Sequence, residues 1–368
     1  MRVLMISKAL VVGAYQRKAE ELAKLPGVEL LVVVPPSWIL EGKPQRLERS
    51  YTSGYQLTVE PIAFNGHFHV HFYPLLRRRF AQFRPDLVHI DEEAYNLATF
   101  QALRLAQRFG ARSVFFTWQN LDRRYPWPFS AMEHSVLRNA DLCLAGNEEA
   151  AGIQRRRGFA KDIRVIPQFG VDPELFAPAP SDAPREGFTV GFSGRLVEQK
   201  GLWVLCDAFE QLPADCRLLL VGSGPLEPEL RARATSGRWA ERLTITAAPS
   251  TAMPGLYRQM HCLVLPSLTT PPWKEQFGRA AVEAMASGVP VVGSDSGEIP
   301  HVLGDAGLIV PEGDAAALAT ALRRLHDAPT ERQALAARGR QRVEERFTQE
   351  QIALQTYEAY KGIIASTK

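Results

Sequence analysis

Two glutamates eight residues apart, Glu275 and Glu283, bracket a Phe277-Gly278-Arg279 turn in KEQFGRAAVEAMASGVPVV, residues 274–292. Pro271-Pro272 forbid a helix before this turn, and Phe277-Gly278 lie where one should begin. Backbone N–H groups at such a start, near Gly278, Arg279 and Ala280, would form an anion site. Glu275 then stands on the preceding loop, and Glu283 lies about five residues inside the helix, roughly 7 to 8 Å further along at 1.5 Å per residue. The arrangement suits a ligand with three parts: hydroxyls at Glu275, phosphates at the helix start, ribose hydroxyls at Glu283. A plainer reading makes Glu275 a complement to the helix dipole and Glu283 an exposed polar residue. The flanks AAV and AMASGVPVV argue against it for Glu283, because they imply close packing on all sides. A carboxylate there needs donors, which sugar hydroxyls would supply.

A second constellation is FSGRLVEQKG. The strand FTVGF ends at a flexible Ser-Gly turn (Gly194) that presents Arg195 and, five residues later, Lys200. Arginine gives forked hydrogen bonds and lysine a point charge, so the pair can neutralise a diphosphate, although two solvated surface charges are the simpler account when the segment is taken alone. VGSGPLE carries Gly222 and Gly224 but has Glu227 where the third glycine of a dinucleotide fingerprint belongs, which disfavours a nicotinamide enzyme.

Other groupings are weaker. HFHVHFY places His67, His69 and His71 at alternate positions, so on a strand all three would face one side; with no adjacent carboxylate to complete a metal set, a half-exposed strand or an acceptor-side loop is the plainer reading. Asp91, Glu92 and Glu93 follow the strand LVHI, where they would either meet an acceptor or be ordinary loop charges. Trp118, Tyr125 and Trp127 in TWQNLDRRYPWPF would form an aromatic platform or simply pack a loop. The four cysteines are scattered without a C-x-x-C pair or a histidine at ligand spacing, so core thiols are expected. No D-x-D pair is present to hold a metal against a diphosphate, and no metal is expected.

These residues need elements to hold them. RVLMIS, ELLVVVP, DLVHI, SVFFTW, DLCLAG and RVIPQ alternate with helical patterns, and FTVGFSG, RLLLVGSG, LTITA, CLVLPS, PVVGSD and LIVP do so again. Alternation of this kind predicts parallel strands joined by helical crossovers. The expected fold class is α/β, with two facing Rossmann-like doubly wound domains and a cleft between them: 1–173, a linker at 174–186 rich in proline and small polar residues, and 187–346. Residues 347–368 read as a helix long enough to cross back to the first domain.

With 46% hydrophobic and 23% charged residues, the 368-residue chain reads as globular, neither disordered nor membrane-spanning, and a cytoplasmic location is expected. The net charge of +3 hides an asymmetry of about +6 over residues 1–173 (23 basic, 17 acidic) against about −3 over the rest. Arg77-Arg78-Arg79, Arg123-Arg124 and Arg155-Arg156-Arg157 supply much of the excess. Solvated surface is the plain account, peripheral contact with a membrane surface the alternative, and nucleic acid is not expected.

Taken together, E-QFGRAAV-E, FSGR with its following lysine, VGSGP and GVPVVGSDSGEIPHVL resemble the donor-binding half of the family 4 glycosyltransferases, retaining enzymes of the GT-B fold. The resemblance runs through nearly the whole chain. It implies a UDP- or GDP-linked sugar as co-substrate, a sugar, lipid or small-molecule hydroxyl as acceptor, and front-face transfer without a further cofactor. Arg195 and Lys200 would hold the donor diphosphate, Glu275 the sugar hydroxyls and Glu283 the ribose. The backbone around Phe277, Gly278, Arg279 and Ala280 would meet sugar and phosphate, with Gly194 and Gly222 in the adjoining turns, and Gly13 would let the first domain approach the donor. Two departures stand out: Gln119 replaces the histidine common after the strand FFTWQN, leaving a positioning role rather than acid-base chemistry, and QFGVD lacks the usual asparagine. A sugar-nucleotide epimerase, a dehydrogenase and a non-catalytic nucleotide-sugar binding protein are the alternatives.

Overall fold

A run such as LLVVV has branched apolar side chains on both faces, which suits a parallel strand covered by helices above and below. The structure, a computed structural model, describes residues 1–40, 42–179, 187–237 and 239–365. They divide into two units, Met1–Gly170 with Gln349–Lys368, and Val171–Thr348.

The first unit contains β1 (Arg2–Ile6), β2 (Glu29–Val34), a hairpin of β3 (Ser37–Leu40) and β4 (Lys43–Arg46), then β5 (Gln56–Val59), β6 (Leu87–Ile90), β7 (Arg112–Thr117), β8 (Leu142–Ala145) and β9 (Asp162–Val165). Seven of these form one sheet, β5-β2-β1-β6-β7-β8-β9, with every pair parallel. Period-two alternation divides its side chains between two buried layers. Leu4, Ile6, Leu31 and Val33 face one layer, and Val3, Met5, Val32 and Val34 the other, where Leu22, Ile352 and Tyr360 also pack. Helices α1 (Arg17–Ala23), α2 (Leu76–Phe83), α3 (Leu97–Phe109), α4 (Phe129–Asn139) and α5 (Glu148–Arg156) cover the sheet. Asn147 caps α5 by accepting from the Ala150 N–H.

The second unit has six parallel strands, β10 (Phe188–Ser193), β11 (Cys216–Val221), β12 (Leu243–Thr246), β13 (Cys262–Leu265), β14 (Val291–Ser294) and β15 (Leu308–Val310), ordered β12-β11-β10-β13-β14-β15. Around them lie α6 (Leu202–Phe209), α7 (Glu227–Ser236), α8 (Met253–Tyr257), α9 (Arg279–Ala286), α10 (Ile299–Leu303), α11 (Ala315–Asp327) and α12 (Pro329–Arg346). The last helix, α13 (Gln349–Ala365), packs on α1 within the first unit. Strand order reverses between β10 and β13, so the loops leaving their carboxyl ends part and open a crevice there.

Both strand series read from the sequence are present, along with β5 and the β3–β4 hairpin, which are too short and polar to stand out. Of the two readings of HFHVHFY the structure takes the loop, and the linker expectation is corrected. His67, His69 and His71 do not share a strand face: the segment is a turn in which the Val70 and His71 N–H groups donate to the His67 carbonyl. His71 is buried, whereas His67 and His69 are exposed. The stretch read as a linker is also not wholly one, because Phe176 is buried in the core of the second unit and a turn is held by the Asp172 carboxylate. Residues 180–186 of it lie outside the described residues.

Candidate active site

In the second unit, Glu275 and Lys200 converge at the carboxyl ends of β10 and β13. Lys200 ends a one-turn 3-10 helix, Glu198–Lys200, and is followed by Gly201 at φ 67. Only glycine suits that turn, since an added Cβ would run into the Pro266 carbonyl. The Lys200 Nζ donates to Glu275 Oε2 at 2.6 Å and lies 4.8 Å from the centroid of the Trp273 ring. The same carboxylate oxygen accepts from Ser267 Oγ at 2.9 Å. Glu275 is buried, and its carbonyl accepts from the Glu298 N–H, which pins the loop before α9. Sequence spacing thus assigned Lys200 and Glu275 to separate ligand groups, and the fold pairs them with each other.

Helix α9 starts where expected, with Gly278 as its N-cap at φ 76. Arg279 and Ala280 form its first turn, and Phe277 packs edge-on against Phe347. Glu283 is half-buried rather than enclosed on all sides, and its donors come from the protein: Arg279 Nε at 2.7 Å and the Tyr257 hydroxyl at 2.9 Å. Tyr257 is also hydrogen-bonded to Ser193 at the end of β10, so one polar chain ties α9 to the Ser-Gly turn. Burial and the Glu283 charge hold the Tyr257 hydroxyl well above its ordinary pKa, keeping it a donor. Arg195 is exposed on the loop that carries Lys200. Gly194 and Gly222 lie against each other, where a Cβ on Gly222 would strike the Gly194 carbonyl. The crevice therefore offers two cations on one loop, a glycine-capped helix start and two carboxylates, each held by one cation.

Gln119, at the carboxyl end of β7 in the first unit, is buried. Its Oε1 accepts from Arg157 Nη1 at 3.2 Å, and its Nε2 donates to the Tyr125 hydroxyl at 3.3 Å. Behind it, Glu93 accepts from Thr117 Oγ1 and the Trp118 N–H, both at 2.7 Å, while burial pushes its carboxyl up to about 7. Asp91 accepts from Ser7, and Glu92 pairs with Lys8, so all three acids are built into the fold. Gly13 donates its N–H to Glu48 at 2.7 Å, and Ser50 fills the space a side chain would need. The aromatic platform does not assemble: Trp118 donates to Gln168, Trp127 is 82% exposed, and Tyr125 stacks on Tyr95.

All four cysteines are buried thiols. The fold does bring a histidine to one of them, placing ligand atoms of Asp215, Cys216 and His326 within 4.8 Å of one another. His326 bridges Asp215 and Asp327, and burial pushes the Cys216 thiol up to about 11. Tyr257, Ser267 and Trp273 were not anticipated. Each lies in a segment whose local pattern marks only a helix, a strand end or a loop.

Residues 12–168 match the family described as "Glycosyl transferase 4-like domain", and residues 187–328 match "Glycosyl transferases group 1". WcaL of Escherichia coli (strain K12), named for colanic acid biosynthesis, is 31% identical over 225 residues, 59% of this chain and 55% of that protein. Phosphatidyl-myo-inositol mannosyltransferase of Mycolicibacterium smegmatis is 35% identical over 244 residues, 62% of this chain and 60% of that one. The chain thus spans a little over half the length of these relatives. Among solved structures, sucrose-phosphate synthase from Thermosynechococcus elongatus superposes with a TM-score of 0.76 at 23% identity, covering 100% of both chains. Anabaena HepE in complex with UDP gives 0.73 at 19% identity, covering 98% of this chain and 100% of that one. The two family matches, one to each unit and both to glycosyl transferases, place the chain among the GT-B glycosyltransferases of family 4 type.

Proposed function

We infer that the protein transfers a sugar, with retention of configuration, from a nucleoside diphosphate donor to a hydroxyl acceptor. The second unit takes the donor, and the first unit carries the acceptor. The observation that carries this reading is the Lys200–Glu275 pair beside the glycine-capped start of α9. A diphosphate entering the crevice meets Arg195, Lys200 and the helix start, and draws Lys200 toward itself. Glu275 is then left able to accept from the hydroxyls of the transferred sugar, with Ser267 still holding the carboxylate. HepE supports a nucleotide-sugar donor, since its titles name UDP and UDP-glucose.

In the step proposed, the acceptor oxygen approaches the anomeric carbon from the face the diphosphate leaves. The bond from that carbon to the phosphate oxygen breaks, the bond to the acceptor oxygen forms, and the acceptor proton passes to a diphosphate oxygen. The residues stabilise the charge that collects on the leaving group and orient the sugar. Gln119 takes a positioning role.

The test is a thermal-shift screen against UDP, GDP, ADP, TDP and their common sugar conjugates, followed by donor hydrolysis with the best binder. Glu275→Ala is expected to lower turnover by roughly 10²–10³ while nucleotide binding stays measurable. The sugar released at early times should keep its anomeric configuration, read from the anomeric proton coupling. Unchanged turnover in the variant, or inversion, refutes the reading.

A further inference from the structure

Two basic runs of the sequence meet in the first unit around a pocket of about 410 Å³, a size in the range of small-ligand sites, roughly 300–1,000 Å³. Arg123 and Arg124 reach it from the segment after β7, and Arg156 and Arg157 from the end of α5. Four arginines and two acids, Asp122 and Glu133, line it. The carboxylates are not shared evenly. Arg157 takes both, pairing with Glu133 through Nη1 and with Asp122 Oδ1 through Nη2 at 2.8 Å and Nε at 3.2 Å. It also donates to the Arg123 carbonyl and to Gln119, so its donors are spent inside the protein. Arg156 stands 4.0 Å from the other oxygen of Asp122, with its side chain 61% exposed. Arg123 and Arg124 are exposed as well. The pocket is therefore braced by Arg157, and Arg124 and Arg156 stand on its solvent side. Forked guanidiniums match the oxygens of a phosphate in pairs, and more than one beside the same pocket favours a dianion over a lone carboxylate.

We propose that this pocket binds a phosphate ester carried by the acceptor. The inference rests on the reading that the first unit carries the acceptor. Arg157 links the pocket to Gln119, and Tyr125, which lines the pocket and accepts from Gln119, stacks on Tyr95 at a centroid distance of 4.1 Å. The phosphate seats between Arg124 and Arg156, and the hydroxyl-bearing part of the acceptor lies toward Gln119 and the Tyr125 ring. The phosphate belongs either to a soluble sugar phosphate or to a lipid headgroup. Trp127, 82% exposed on the same segment, is placed to enter an interface in the second case.

The experiment titrates the full chain with glycerol 3-phosphate by calorimetry, with UDP at saturation, and repeats it on Arg124→Glu/Arg156→Glu, two exposed sites whose change leaves the brace intact. Wild type should bind, with affinity falling steeply as salt rises. The variant should bind at least tenfold more weakly, while its affinity for UDP stays within twofold of wild type. Arg124→Gln/Arg156→Gln, which removes charge without reversing it, should show an intermediate loss. Phosphatidylglycerol and phosphatidylcholine vesicles form the second arm. Glycerol 3-phosphate binding together with retention on phosphatidylglycerol alone assigns the phosphate to a lipid headgroup, and glycerol 3-phosphate binding without retention assigns it to a soluble ester. No binding of glycerol 3-phosphate to wild type, equal binding by the variants, or retention on vesicles without glycerol 3-phosphate binding overturns the proposal. Failure of UDP to bind while glycerol 3-phosphate does would count against the donor reading and leave the pocket standing.

Discussion

Glu275 illustrates how a charged residue can be held ready by a partner that ligand binding would take away. Its side chain is 10% exposed and that of Lys200 23%, so each charge is partly desolvated and depends on the other. Removing one partner strands the second, whereas removing both leaves no uncompensated charge. Lys200→Met and Glu275→Gln should each lower the stability of the second unit by about 1–3 kcal/mol, and the double substitution should cost less than their sum. Urea unfolding of the three variants checks this, and strict additivity would mean that the pair contributes nothing. Glu283 makes the complementary point. Its acidity and its eight-residue separation from Glu275 were legible in the sequence, but its partner Tyr257 was not, because 26 residues separate them and only the packing of α8 on α9 joins them.

At the scale of elements, glycine turns decide where the candidate site's side chains stand. Gly201 and Gly313 have similar left-handed φ angles, 67 and 76. An added Cβ meets the Pro266 carbonyl at Gly201 and nothing within 4 Å at Gly313. Gly313→Ala should therefore cost about 1–2 kcal/mol through backbone strain alone. Gly201→Ala should cost about 1–3 kcal/mol more, because the loop must move. Comparing the two denaturation midpoints isolates the collision, and equal losses would show that the loop after β10 yields freely. The same scale decides between strand and loop for one histidine-rich segment. HFHVHFY alternates as a strand does, but Phe72 near its end bridges back to Ala63, four residues before its start, and the turn between them leaves His71 inside and His69 outside. Five alternating residues carry too little information to separate a strand from a turn when the deciding contact is a bridge to a residue outside them.

On the scale of the molecule, buried ionisable groups give the first unit a distinctive pH response. Glu93 has a folded-state pKa of about 7 against an ordinary 4.5, raised by burial. Below about 4.5 it is protonated in both the folded and the unfolded chain and makes no difference. As pH climbs from there to 7, the unfolded chain ionises first, and folded stability falls. The loss approaches about 3 kcal/mol, from the shift at roughly 1.36 kcal/mol per unit. Glu93→Gln should flatten stability between about pH 5 and 7, seen in the exchange protection of β6 and β7 amides. Glu92, drawn down to about 2 with the Lys8 charge as the principal cause opposing burial, acts in the opposite sense: its stabilisation is present above 4.5 and is lost as pH falls through 2. An unchanged pH slope in Glu93→Gln would show that the carboxyl is already hydrated.

The amino-acid order alone determined both strand series, the start of α9 at Gly278 and the candidate cations and carboxylates, since these depend on alternation, turn glycines and residue type within a few neighbouring positions. It also carried the basic runs, though as separate stretches. Tertiary structure decided the partners: Lys200 with Glu275 across 75 residues, Arg157 with Gln119 across 38, and the meeting of two arginine runs around one pocket. Strand order in the two sheets sets those distances. It arises from burial summed over whole layers, which no local window of the chain contains.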